Sequence, residues 1–189
     1  TRRIMAAVDE ALATASPPED TVTFAHEVAT WQLPRMMVTK EEYKLEKRIY
    51  SMSEEELAKQ PYGFQRVWPF SDVCELISRY ENQEEKSMLD MESHVIRLGD
   101  VVFATNAFEL YVDYAMRIRS RSKALQTFLV QIADACGFYL PTQRAVDHGH
   151  YSALVKSCWV GPEGGQVLVE NTVAAIDRLF EGEDYPKTR

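Results

Sequence analysis

The sequence predicts an α/β fold, with α+β as the alternative reading, on three observations. Helical apolar stripes alternate with short strand-like runs through the second half of the chain, a Gly99-Asp100 turn separates two apolar-rich runs, and no shift in composition marks an internal boundary. Together they predict a mixed sheet with helices packed on it. At 189 residues, 46% hydrophobic and 26% charged, the chain can bury a real core within one domain.

The elements follow in order. Ile4, Val8, Ala11, Leu12 and Ala15 form a helical stripe that Ser16-Pro17-Pro18 ends. Val22, Phe24, His26, Val28 and Thr30 alternate with mostly polar neighbours, predicting a strand buried on that face and closed at Leu33-Pro34. Thr39 with Glu42, and Ser53 with Glu56, have capping-box spacing, so two short helices are expected within 40–60. Pro61 and Gly63 open a loop. Val73, Leu76, Ile77 and Tyr80 make one face of a helix begun by Ser71 or Asp72, with 81–87 as a loop or frayed end. Residues 91–105, MESHVIRLGDVVFAT, predict a hairpin about Gly99-Asp100.

Phe108, Tyr111, Val112, Ala115 and Ile118 then place a helix over about 108–121, and the apolar run 125–132 predicts a buried strand behind it. Thr142 suits the cap of a short helix reaching Val146, and 151–159 is expected as a strand. A closing helix over 165–181 turns Leu168, Thr172, Ala175, Ile176 and Leu179 inward, with Gly182 suited to its end.

A net charge of −8 with dispersed acids argues against nucleic acid or an anionic membrane as a partner, since both need clustered Lys and Arg. Arg117, Arg119 and Arg121 form the one basic cluster, and its spacing suits a solvated helix C-terminus better than a binding patch. No run approaches the roughly 20 apolar residues of a membrane span. Cys74, Cys136 and Cys158 lack metal or redox spacing, so small buried thiols are expected, which leans towards a reducing compartment. Thr1 stands without an initiator Met and the helical stripe begins at once, so further sequence is expected to precede it.

Several residue types invite chemistry. Glu109 lies just after a predicted strand, where ligands are commonly met, but Asn106 and Glu109 also have capping-box spacing, and the cap is the favoured reading of the pattern alone. Asp147-His148-Gly149-His150 holds ligand types, but at a spacing that suits a solvated loop better. His26 and His94 fall on predicted strands and are assigned no role. Gly161-Pro162-Glu163-Gly164-Gly165 lacks the Lys and Ser/Thr of a phosphate loop and reads as a tight helix entry. Tyr139 and Tyr151 read as aromatics with satisfied hydroxyls. These residues alone assemble no nucleophile, base and orienting group.

The order of motifs adds a second line. HVIRLGDVVFAT, then FEL, FLVQIADACGFYLPT, HGHY and VGPEGGQVLVENTVAAIDRLF resemble the C-terminal half of the catalytic domain of the neutral/alkaline ceramidase-like family, with LPRMMVTKEEY a looser match upstream. The resemblance covers 94–181 well, 24–45 loosely and 46–90 little. It implies that residues 1–189 are half of a larger catalytic domain whose N-terminal half supplies two zinc histidines and an active-site serine.

By the same resemblance Glu109 and Tyr139 match the family's remaining zinc ligands. Tyr151 matches a second tyrosine near the reacting carbonyl, 12 residues beyond the first in both. The implied function is zinc-dependent hydrolysis of an N-acyl amide, a ceramide-like lipid or a relative, with this half inactive alone. Ala107-Phe108 replaces the family's Pro-Gly, and Asp134-Ala135-Cys136 replaces its Asn-x-Tyr. Two alternatives therefore stand: a non-catalytic binding protein that keeps the fold, and a metal-dependent hydrolase of a soluble substrate.

Overall fold

The computed structural model describes residues 1–18, 20–59 and 70–182, the last span with side chains from 75 onward. It is an α/β fold built on a four-stranded mixed sheet, the class the patterning predicts. The expected loop at Pro61 and Gly63, and the side chains of Ser71, Asp72, Val73 and Cys74, lie outside the described residues.

Helix α1 (Arg2–Thr14) has the expected amphipathic stripe, yet none of its residues is buried. Strand β1 (Phe24–Pro34) pairs antiparallel with β2 (Met88–Leu98), and β2 pairs antiparallel with β3 (Val101–Thr105) through the Gly99-Asp100 turn. Gly99 adopts φ +59 there, a conformation glycine reaches without steric cost. Strand β5 (Gln126–Val130) joins β3 in parallel, giving the order β1-β2-β3-β5. A separate two-residue parallel pair is formed by β4 (Glu109–Leu110) and β6 (Tyr139–Leu140).

Between β1 and β2 lie α2 (Lys40–Ser51), α3 (Glu54–Ala58) and α4 (Phe70–Asn82). Both expected capping boxes form, Thr39 with Glu42 and Ser53 with Glu56. Helices α2 and α4 meet through stacked Tyr43 and Tyr80 rings, 4.2 Å between centroids. Later come α5 (Val112–Arg121), α6 (Gln143–Asp147), capped by Thr142 as expected, and α7 (Pro162–Leu179).

The core lies between one sheet face and helices α5 and α7. Trp31, Leu33, Met91, Val95, Val102 and Ala104 point inward to meet Phe108, Ile118, Leu168, Val169 and Ile176. This reverses the face expected for β1. Side chains alternate at period two, so Trp31 and Leu33 carry Ala25, Glu27 and Ala29 inward and turn Phe24, His26, Val28 and Thr30 to solvent. Glu27 is tolerated on the inner face because Arg178 of α7 reaches it with two guanidinium nitrogens, and that contact holds the carboxyl below its ordinary pKa.

The outer face exposes several apolar side chains among its polar ones: Phe24 is 65% accessible, Val28 50% and Phe128 42%. The Phe103 and Phe128 rings stack on it, 5.0 Å apart.

Four further expectations are corrected. The run 125–132 is an edge strand with only Thr127 buried, because among the described residues β5 has a single neighbour in the sheet. Residues 151–159 form two single-turn 3-10 helices, Tyr151–Ala153 and Val155–Ser157, rather than a strand. Val112 is 64% exposed, since the helix expected from 108 starts only at 112. Of the cysteines, Cys158 is buried as expected, whereas Cys136 is exposed because the loop after β5 runs over the surface.

Arg117, Arg119 and Arg121 are engaged locally, by Gln166, the Thr127 carbonyl and Glu170 respectively, as suits a helix end more than a binding patch. Arg97, buried on the inner face, donates to the carbonyls of Gly99 and Leu179 and lies 3.7 Å over the Phe180 ring. It thus ties the hairpin turn to the C-terminal end of α7.

The entry to α7 is the tightest junction. A Cβ on Gly164 would lie 2.1 Å from Val160 Cγ1 and 2.9 Å from the Pro34 carbonyl oxygen. One on Gly165 would lie 2.3 Å from Tyr114. The Tyr114 hydroxyl donates to the Pro141 carbonyl at 2.7 Å, and burial pushes its pKa up to about 12.

Gly165→Ala is therefore expected to destabilise the protein by about 1–3 kcal/mol or more in chemical denaturation, because overpacking displaces Tyr114. Tyr114 has a folded pKa above its unfolded one, so its contribution is complete below pH 10 and falls as pH rises through about 12. Tyr114→Phe should cost roughly 1–2 kcal/mol at neutral pH by stranding the Pro141 carbonyl, and should flatten that alkaline slope.

Candidate functional site

The chain between β3 and β6 is shaped by backbone hydrogen bonds rather than by a helix. Asn106 is buried; its carboxamide oxygen accepts from the Phe108 amide at 3.1 Å and its nitrogen donates to the Val130 carbonyl at 3.3 Å. Glu109 donates its amide to the Phe138 carbonyl at 2.8 Å, and Leu110 donates to Gln131 Oε1 at 2.8 Å. With these amides committed to the neighbouring loop, the segment extends as β4, and the helix begins afterwards with Tyr111 as its N-cap. The capping box expected from Asn106 and Glu109 is thus corrected.

The partner loop, 131–138, is strained. Ile132, Asp134 and Phe138 all adopt positive φ, at 53°, 67° and 57°. For a β-branched residue such as Ile132 this is a true outlier, and strain of this kind costs on the order of 1–3 kcal/mol per residue. The loop persists because it is fastened along its length: Ala133 donates to the Asn106 carbonyl and Gly137 to that of Ala107. Gly137 lies so close to the Phe108 ring that a Cβ would approach it to 2.5 Å.

The outcome is that Glu109 and Tyr139 are paired residues of the β4–β6 bridge, with side chains on one face. The Tyr151 ring stands edge-on to Tyr139, centroids 5.8 Å apart at 85°. The Tyr139 phenol is raised well above its ordinary pKa, first by hydrogen bonding with Tyr151, then by burial, then by hydrogen bonding with Glu109. All three residues singled out by the resemblance meet at one place, though they lie up to 42 residues apart in sequence. Glu109 and Tyr139 are half-buried and Tyr151 is 64% exposed, so the cluster opens to solvent at its tyrosine end.

Neighbouring groups complete the setting. Ser152, which no sequence pattern marked, places Oγ 2.6 Å from the Tyr111 hydroxyl and anchors the turn carrying Tyr151. Cys158 donates to the Ser152 carbonyl, and burial pushes its thiol up to about 12, so it is no nucleophile. A cleft of about 320 Å³ lies alongside, lined by Tyr111, Asp113, Thr142, Arg144, Ala145, His148 and His150. His148 bonds the Arg144 carbonyl within its own turn, as expected of a loop histidine.

As donors, a carboxylate and a phenol oxygen suit zinc or another borderline-to-hard divalent ion. Two protein ligands fall short of the three that a catalytic zinc site takes beside its open position. The pair therefore fits as part of a site.

Tyr139 should ionise well above pH 10 in ultraviolet titration. Tyr151→Phe, which removes the largest cause, should bring it back towards the ordinary value more than Glu109→Gln does. Equal tyrosine titration curves in the three proteins would show that the contacts do not form. In comparisons with known proteins, no family model, no curated protein and no solved structure matches the chain.

Proposed function

We propose that the chain supplies part of the active site of a zinc-dependent hydrolase acting on an N-acyl amide, of a ceramide-like lipid or a related substrate. The observation that carries this reading is the meeting of Glu109, Tyr139 and Tyr151. The motif order singled them out, and the fold brings them together through a loop with three left-handed residues and a two-residue bridge.

In this reading Glu109 and Tyr139 hold the metal from one side, and two histidines outside these 189 residues complete the coordination, as the resemblance implies. Bound zinc would acidify a water molecule and polarise the substrate carbonyl. Glu109 offsets positive charge at the site. Tyr151, the exposed member, can donate its hydroxyl proton to the oxygen on which negative charge develops as the amide is attacked. The cleft lined by Tyr111 and His150 is the opening beside the turn that carries Tyr151, and we assign the substrate to it. No helix among the described residues is long and apolar enough to cross a membrane.

In the complete protein, Glu109→Gln should remove about one zinc per active site and abolish hydrolysis of N-acyl amides. Tyr151→Phe should keep the metal and lower kcat by roughly 10²- to 10³-fold, the usual cost of one oxyanion donor. A panel of amides of graded acyl length separates a lipid substrate from a soluble one. Metal content unchanged by Glu109→Gln, with no amidase activity in the parent, would refute the proposal in favour of a binding protein that shares the fold.

A further inference from the structure

On the outer face of the sheet, β2 turns Glu92 and His94 to the same side, as residues two apart on a strand must. His94 Nε2 lies 3.2 Å from Glu92 Oε1. Asp134, from the strained loop after β5, arrives at the same point: ligand atoms of Glu92, His94 and Asp134 all lie within 4.8 Å of one another. His26, on β1, occupies the diagonal position across the β1–β2 ladder, its Nε2 3.0 Å from His94 Nδ1 and its ring stacked at 5.1 Å.

We infer that Glu92, His94 and Asp134 form a metal site for a divalent transition ion of the zinc class, with His26 as the outer partner that orients His94. The inference uses none of the residues of the proposed hydrolase site and stands or falls separately. One imidazole and two carboxylates are an ordinary donor set for such an ion. Four-coordinate zinc, with bonds of about 2.0–2.2 Å, spaces its ligand atoms roughly 3.3 Å apart, and the His94–Glu92 separation already matches.

The surroundings fix the ligands. A His94 Nδ1–H donated to His26 Nε2 leaves the lone pair of His94 Nε2 directed at the two carboxylates, the usual way an outer hydrogen bond selects the ligating tautomer. The His94 amide donates to Thr105 Oγ1 at 2.9 Å, which fixes the strand at the ligand. Asp134 owes its place to its φ of +67° and to the bond from the Ala133 amide to the Asn106 carbonyl. Two carboxylates held this close repel, and a dication would turn that repulsion into attraction. Three protein ligands leave a fourth position open to water or an anion on the solvent side.

The test is titration of the tag-free 189-residue chain with Co(II), whose visible bands report four-coordinate geometry, followed by displacement with zinc. The expected result is saturation at one equivalent. His94→Ala and Asp134→Asn should each weaken binding at least tenfold, and His26→Ala by about 10- to 100-fold, as for other outer partners. Glu109→Gln, Tyr139→Phe and the double variant His148→Ala/His150→Ala should bind as the parent does. Circular dichroism of each variant, with Asp134→Asn as the surface substitution least able to disturb the sheet, separates loss of the site from loss of the fold. Absence of four-coordinate bands, binding that survives both His94→Ala and Asp134→Asn, or binding lost in Glu109→Gln would each overturn the inference.

Discussion

Everything at the candidate site hangs on the absence of two methyl groups. Gly164 and Gly165 let the first turn of α7 sink against Val160, the Pro34 carbonyl and the Tyr114 ring, where a side chain of any size would collide. Tyr114, held under that turn, bonds the Pro141 carbonyl directly after β6. Strand β6 in turn presents Tyr139 beside Glu109. The chain of contacts thus runs from the closing helix, through one buried phenol, to the residues proposed to hold metal. Because interiors are close-packed, a shift at the helix entry is passed along this path rather than absorbed.

Much of the architecture was legible from pattern. The capping boxes at Thr39 and Ser53, the Gly99-Asp100 hairpin, the Thr142 cap and the inward stripe of α7 each rest on local chemistry, and local chemistry decided them. What misled was patterning whose meaning is set by partners. In β1 both alternating faces carry apolar residues, and only the packing of Trp31 and Leu33 under α7 selects the inner one. The run 125–132 is apolar enough for a buried strand but lies at the sheet margin, a matter of topology that no window of sequence contains.

The candidate sites divide the same way. Glu109 and Tyr139 come together through a two-residue bridge too short for any periodicity to announce, and pattern alone favoured a helix cap for Glu109. Motif order pointed to them. Asp134 gave no sequence signal, because its nearness to His94 depends on left-handed backbone at a residue other than glycine. Both groupings lie where β3 and β5 end, the edge at which parallel strands deliver side chains to ligands, and the 131–138 loop contributes to each.

Among the described residues β5 has one neighbour, and this bears on how the molecule behaves in company. Its segment Leu125-Gln126-Thr127-Phe128-Leu129-Val130-Gln131-Ile132 contains no charge, proline or glycine, and Leu125, Phe128, Val130 and Ile132 are exposed. Such a stretch on a sheet margin is a template for another strand. At high concentration this margin should favour self-association. A lysine at the outward Phe128 would be the economical remedy.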